Sequence, residues 1–494
     1  AAAVTALLAV PAALEGQGPR PRRTGIDSLA LRAHTYFLAH DLLEGRGTAT
    51  RGGELAARYV AAAARQLGLV PADSGGFLLP VPLIEATVDT TRTRLAVRRS
   101  AAGAVREVAF LAPRDIVPNG GTAATLVSFR GSPAWVGTAT DVLAAPWRLP
   151  DLNGRVAVML GVFGPDRAAA DTLRARGVTG VLQVIPGDSL FGLYRRSRGL
   201  TRLFTAEPVE SSFVPPVPAV LVRGVVARAV LEHNGVLPDL QRPFTLDDRT
   251  VEFDIATAAR PRVAHTVAAV LPGRHPRLRT EFVAYTAHLD HLGIGESVDG
   301  DSIYNGFSDN AAGAAMLLAI AAQLREAGTA RSALFVWFTG EERGLLGSDW
   351  FVARAPFDLA RIVAAINLDA GAPPGRSTTW RIAGGDRSTL GDLASRVARE
   401  AGWEVTVSSA SPNTDYFPFL RVGVPAVFVV PGPGAFEGMS ATESQALRAR
   451  WDRYHHPGDH WFADYPFAGL VRYAEFALRL GLALDAGDRP RMLF

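Results

Sequence analysis

The 494-residue sequence contains no cysteine, which excludes both disulfide staples and thiol chemistry. It contains no lysine either, so all 51 of its Lys/Arg-type charges are arginines, against 48 acidic residues and a formal net charge of +3. These arginines are scattered, with no long basic run, and nucleic acid is not an expected partner. No apolar run reaches the roughly 20 residues that a membrane-spanning helix needs, so no stable membrane insertion is expected. A Gly-x-Ser-x-Gly elbow is also missing, which argues against a serine hydrolase. No repeat of 20 to 50 residues is visible. What remains is a chain that is 48% hydrophobic and 20% charged, the composition of a well-cored protein.

The alternation of apolar and polar stretches sets the expected organisation. Residues 1–14 are apolar and Ala-rich, with Glu15-Gly16-Gln17 following. This resembles the core and cleavage zone of a secretory signal, so 1–23 reads as a residual leader and the protein as secreted or periplasmic. Over 26–43, Leu29, Leu31, Tyr36, Phe37 and Leu42 recur at helical spacing, and a second amphipathic helix runs from Glu54 to about Gly68. Strands are expected over 77–83 and 93–97, the first at a sheet edge because Pro80 and Pro82 cannot donate to a ladder. From about 120 the character changes to short strands (124–129, 155–160, 178–184, 217–222) and a helix over 166–176, with no cluster of His, Asp and Glu. Residues 119–250 therefore read as a β-rich insertion between 24–118 and 251–494 of one catalytic domain.

Beyond 251, strands at 266–271, 282–287, 333–338, 362–368 and 425–430 alternate with helices at 311–327, 344–353, 390–401 and 468–484. The strands are near-continuous apolar runs, which predicts an α/β fold with a mostly parallel central sheet covered by helices on both faces.

Sheets of this kind bind ligands beyond the carboxyl ends of their strands, and those ends carry an unusual load here. One strand delivers His288 and Asp290, the next Glu341 and Glu342, the third Asp369. Asp309 precedes a long helix, and His455 lies in the loop before the last one. His288, Asp309, Glu342, Asp369 and His455 supply two imidazoles and three carboxylates, the mixed N/O set that two neighbouring zinc ions need. Asp309 is expected to bridge them. Asp290, two residues from His288, is expected to hold the second ring nitrogen of that imidazole. Adjacent Glu341 is expected to act as general base toward an activated water.

Five motifs, Ala287-His288-Leu289-Asp290-His291-Leu292-Gly293, Ser308-Asp309-Asn310-Ala311-Ala312-Gly313, Thr339-Gly340-Glu341-Glu342-Arg343-Gly344, Ile366-Asn367-Leu368-Asp369 and Tyr454-His455-His456-Pro457-Gly458-Asp459, together resemble the co-catalytic zinc aminopeptidases. That family includes secreted bacterial aminopeptidases, glutamate carboxypeptidase and a silent receptor. The resemblance covers about 266 to the C-terminus, with the entrance motif Leu43-Glu44-Gly45-Arg46-Gly47. It implies two zinc ions per chain, one on His288 and Asp369, one on Glu342 and His455, with Asp309 on both and Glu341 as base. It implies a peptide substrate cleaved from its end, most simply at the amino terminus. Tyr416 stands where many relatives carry histidine and is expected on the substrate side. Within 119–250, Gly154-Arg155-Val156-Ala157-Val158, a helix and Gly177-Val178-Thr179-Gly180-Val181 resemble the protease-associated domain, with a generic α/β insertion as the alternative. A catalytically silent binding module and a glutaminyl-cyclase-like transferase with a single zinc are the rival functions.

Overall fold

A computed structural model of the chain describes residues 25–493, apart from 102–103, 119–127, 164–167, 199, 211–216 and 234. The apolar run at 1–14 and most of the strand expected at 124–129 lie outside the described residues.

Ten strands form the main sheet: β1 (Val70–Pro71), β2 (Leu78–Val88), β3 (Thr201–Thr205), β4 (Thr257–Leu271), β5 (Phe282–His288), β6 (Ser332–Phe338), β7 (Ile362–Asn367), β8 (Thr379–Ala383), β9 (Glu404–Ser408) and β10 (Ala426–Pro431). Their order is β3-β2-β4-β6-β5-β7-β10-β8-β9, with β1 on β4. The centre, β6-β5-β7-β10, is parallel, as the apolar runs predict; β2, β3 and β4 pair antiparallel, so the sheet as a whole is mixed. Every residue of β5, β6 and β7 is buried, which is why these strands do not alternate in polarity. Pro80 and Pro82 fall in the part of β2 that pairs only with β4, whereas 83–87 is also covered by β3. An edge segment tolerates the missing N–H groups.

Helices cover both faces. On one side lie α1 (Ser28–Leu38), α2 (Arg51–Gln66), α3 (Ala312–Ala327), α5 (Leu390–Glu400) and α8 (Ala468–Ala486), packed into a core with Tyr285, Phe335, Trp337 and Trp380. On the other, α4 (Leu346–Arg354) and α6 (Tyr416–Arg421) close over Phe282, Leu334, Phe338 and Phe428. Each large side chain taken from water here contributes about 1.5–3 kcal/mol. Helix α3 is apolar almost all round because sheet, α1, α2 and α8 surround it. Gly481 lets α8 approach β5 closely: a Cβ there would stand 1.6 Å from the Tyr285 hydroxyl.

Two smaller sheets stand between β2 and β4 in the chain. Strands Arg94–Ala101, Ala104–Leu111, Arg249–Asp254 and Phe129–Gly131 form a four-stranded antiparallel sheet. A six-stranded sheet is parallel through Pro133–Thr138, Val156–Leu160, Gly180–Ile185 and Ala219–Arg223. Leu95, Val97, Phe253, Trp135, Val158 and Val220 form a core between them. Pairing runs across the boundaries expected at 118/119 and 250/251: 94–111 pairs with 249–254, while Thr201–Thr205 joins the main sheet. Among the described residues no helix is long and apolar enough to cross a membrane.

Candidate metal centre

Because β6, β5 and β7 are parallel neighbours, their carboxyl ends open at one edge of the sheet, with His288 in register with Phe338 and Thr286 with Asn367. His288 ends β5, Glu341 and Glu342 follow β6 by a few residues, and Asp369 follows β7 by two. Asp309 comes from the irregular turn Phe307–Ala311 that opens α3, and His455 from the loop between α7 (Ala441–Trp451) and α8. His455 adopts a left-handed backbone (φ 53°), uncommon for a non-glycine residue, and this turns its ring toward the sheet edge.

The five expected ligands converge as two groups sharing one carboxylate. His288 Nε2 lies 2.8 Å from Asp369 Oδ1 and 3.0 Å from Asp309 Oδ1. The other oxygen of Asp309, Oδ2, lies 3.0 Å from His455 Nε2, which is 3.3 Å from Glu342 Oε2. Within each group the donor atoms all lie within 4.8 Å of one another. That spread allows a small contraction around a cation with bonds of about 2.0–2.2 Å.

A buried scaffold of hydrogen bonds sets these side chains. Asp369 Oδ2 accepts from the Thr414 hydroxyl, which accepts from Asn367 Nδ2 at 2.9 Å; Asn367 Oδ1 accepts from Thr286 at 2.8 Å. Asp459, the acidic end of the His-x-Pro-x-Asp motif, accepts from the Ser308 N–H, the Ser308 hydroxyl and, at 3.3 Å, the Asp309 N–H. It thereby ties the loop of one ligand to the turn of another. Arg46, fully buried, donates to the carbonyls of Leu38, Leu289, Asn305 and Gly306 and so links α1 to both ligand-bearing loops. Burial lowers its pKa to about 10, opposed by Asp309, Asp459, Asp290 and Glu342; the guanidinium stays charged and offsets these acids.

Electrostatics separates the two adjacent glutamates. Burial, with Asp369, Glu342 and Asp415 nearby, pushes the Glu341 carboxyl well above its usual range, against the pull of His288. Glu342 is lowered: hydrogen bonds from His291 and His455 outweigh its burial and the neighbouring Asp309. Against the cost of burial, Asp309 and Glu342 raise His455 to about 10.

Three placements differ from expectation. The ring nitrogen Nδ1 of His288 meets the backbone carbonyl of Asp290 at 3.0 Å, not its carboxylate, which is 4.0 Å away. That carboxylate instead accepts from the Thr48 hydroxyl at 2.6 Å and the Glu341 N–H at 3.2 Å, because the turn after β5 points the side chain toward the β6 end. Tyr416 does not reach the cavity: it is fully buried at the start of α6 beside Phe428, and its hydroxyl accepts from Ser411 N. Asn413 and Thr414 face the cavity in its place. His291, a motif residue with no assigned role, joins the second group: its Nδ1 lies 2.6 Å from Glu342 Oε1 and 3.8 Å from Asp309 Oδ2, and its Nε2 is buried without a hydrogen bond. Adjacency to Asp290 was its only sequence signal.

Each of the two donor groups at this sheet edge could hold a metal ion. Residues 266–478, under half of the chain, match the model of peptidase family M28, and that segment is of the metallopeptidase, hydrolase class. Among solved structures it is similar to the aminopeptidase from Aneurinibacillus sp. strain AM-1, at 18% identity over 95% of this chain and 96% of that one, with a TM-score of 0.54. At that identity the likeness is one of fold. A zinc aminopeptidase from Bacillus subtilis follows at 17% identity, 94% and 95% coverage and TM-score 0.47. An M28 peptidase precursor from Shewanella amazonensis stands at 16%, 93% and 95%, and 0.44. No curated protein matches the chain.

Proposed function

We propose that the protein is an aminopeptidase that holds two zinc ions, with His288, Asp309 and Asp369 around one and Asp309, Glu342 and His455 around the other. The observation that carries this reading is Asp309, whose two oxygens face different histidines at 3.0 Å each. The residues fit such a pair on chemical grounds: three buried carboxylates crowd one site, and cations offset the repulsion that would otherwise neutralise them. Bound there, zinc supplies Lewis acidity and a nucleophile at neutral pH. Glu341 takes the proton of the attacking water and returns it to the leaving amine, a task suited to a carboxyl raised well above its usual range. Asp290 holds the Glu341 backbone, and His291 fixes one oxygen of Glu342 so that the other faces His455.

The same reading takes 119–250 as a protease-associated-like insertion and the protein as exported; a core formed wholly within 134–219, among them Val136, Val142, Met159, Leu173 and Val181, supports the first, the apolar stretch at 1–14 the second. Retention of the full ligand set disfavours both the silent receptor and the single-zinc cyclase. The test is release of amino acids from a free and an N-acetylated peptide by wild type and Glu341→Gln. Cleavage of the free peptide only, and its loss in the variant, is expected; equal cleavage of both peptides, or an active variant, contradicts it.

A further inference from the structure

A cavity of about 480 Å³ adjoins the centre, with His288, Asp309, Glu341 and Asp369 in its wall. The wall also carries Arg448, from the last turn of α7. Its Nη2 donates to the carbonyls of Gly432 and Gly434, and its guanidinium lies 4.0 Å above the Phe436 ring. These contacts hold the head group rigidly and half-buried. Among the described residues Nε and Nη1 make no hydrogen bond and no carboxylate pairs with the group. Burial lowers its pKa with no acid raising it again, although arginine stays charged. Arg331 and Arg472, by contrast, pair with Glu281 at 2.7 Å and Glu437 at 2.9 Å, while fully buried Arg46 has its donors taken up by four carbonyls. Arg453 on the same wall, exposed, also lacks an acidic partner, and Asp452 beside it pairs with neither arginine.

A fixed, partly desolvated guanidinium whose Nε–H and Nη1–H groups are free can hold a carboxylate by a charge-assisted hydrogen bond. The cavity is of a size that takes small ligands. We propose that Arg448 makes this cavity select peptides that place a carboxylate in it, either the acidic side chain of the residue released or the terminal carboxylate of a dipeptide. This rests on the peptidase reading above.

Two peptide pairs distinguish the sources: Glu-Ala-amide against Gln-Ala-amide, and Leu-Ala against Leu-Ala-amide. Cleavage by the zinc-loaded wild type, Arg448→Met and Arg448→Lys is measured as kcat/KM. Binding of the same peptides is measured by calorimetry on Glu341→Gln. The carboxylate member of at least one pair is expected to be favoured by about tenfold or more, the worth of one charge-assisted hydrogen bond. That ratio should collapse in Arg448→Met and survive in part in Arg448→Lys, whose retained charge serves the test if the methionine variant fails to fold. Ratios within about twofold in both pairs, or a preference unchanged in the variants, overturn the proposal. If nothing is cleaved, the peptidase reading falls, and the calorimetric ratios alone decide the carboxylate pocket.

Discussion

The carboxylate of Asp290 accepts the backbone N–H of Glu341 at 3.2 Å and leaves the neighbouring His288 ring to a carbonyl. Asp290 is thus a positioning residue for the proposed base. Asp290→Ala should lower kcat by about 10–100-fold, the range seen for residues that orient a catalytic or metal-binding group. Zinc content should stay near that of wild type, because His288 keeps its carbonyl partner. Metal analysis alongside kinetics checks this, and loss of zinc in step with activity would argue for the direct imidazole contact instead.

Thr48 supplies the other hydrogen bond to that carboxylate, at 2.6 Å in a buried setting. Thr48→Val keeps the shape and strands one carboxylate oxygen, which costs about 1–3 kcal/mol. A lower urea midpoint with an unchanged m-value is the expected result.

Arg46 satisfies four buried carbonyls at once. Arg46→Met should destabilise the fold by several kcal/mol, out of the roughly 5–15 that hold a typical protein together. Thermal unfolding reads this directly, and a shift of only a degree or two would contradict the linking role given to Arg46.

Asp459 acts on metal binding through the turn that carries Asp309. Asp459→Ala should weaken zinc retention by about 10–100-fold in chelator competition while the protein stays folded.

Asp415 gives the metal-free protein a pH dependence. Burial pushes its carboxyl from the ordinary 3.8 up to about 8, with one oxygen accepting from Ser348 and the other unpartnered. A carboxyl raised in the folded state stabilises fully below the unfolded pKa, and this contribution is lost as pH rises through the folded one. Stability after zinc removal should therefore decline between about pH 4 and 8, and Asp415→Asn should flatten that decline in a pH series of denaturant melts.

The parallel centre of the sheet was legible because β5, β6 and β7 are short apolar runs that each end in ligand-type residues. The approach of His288, Glu342 and Asp369 was legible for the same reason, because strand ends of a parallel sheet share an edge, whereas Asp309 and His455 reach that edge from a turn and a loop. The antiparallel flank was less so, since β3 and β4 lie more than fifty residues apart and only pairing reveals them as one sheet. Side-chain direction was the least legible feature. Whether Asp290 turns to His288 or to Glu341, and whether Tyr416 faces substrate or core, depends on the turns after β5 and before α6, which spacing does not encode. His291 was hidden by its neighbours, because nothing in a His-Leu-Asp-His run says which side chain turns back toward Glu342.

The central claim is that Asp309 stands between two metals, and the most direct measurement is the number of zinc ions bound per chain after saturation and removal of excess. The account predicts two for wild type and two for Glu341→Gln, with one or none after Asp309→Ala. A wild-type chain that binds a single zinc, or an Asp309→Ala chain that still binds two, would contradict it.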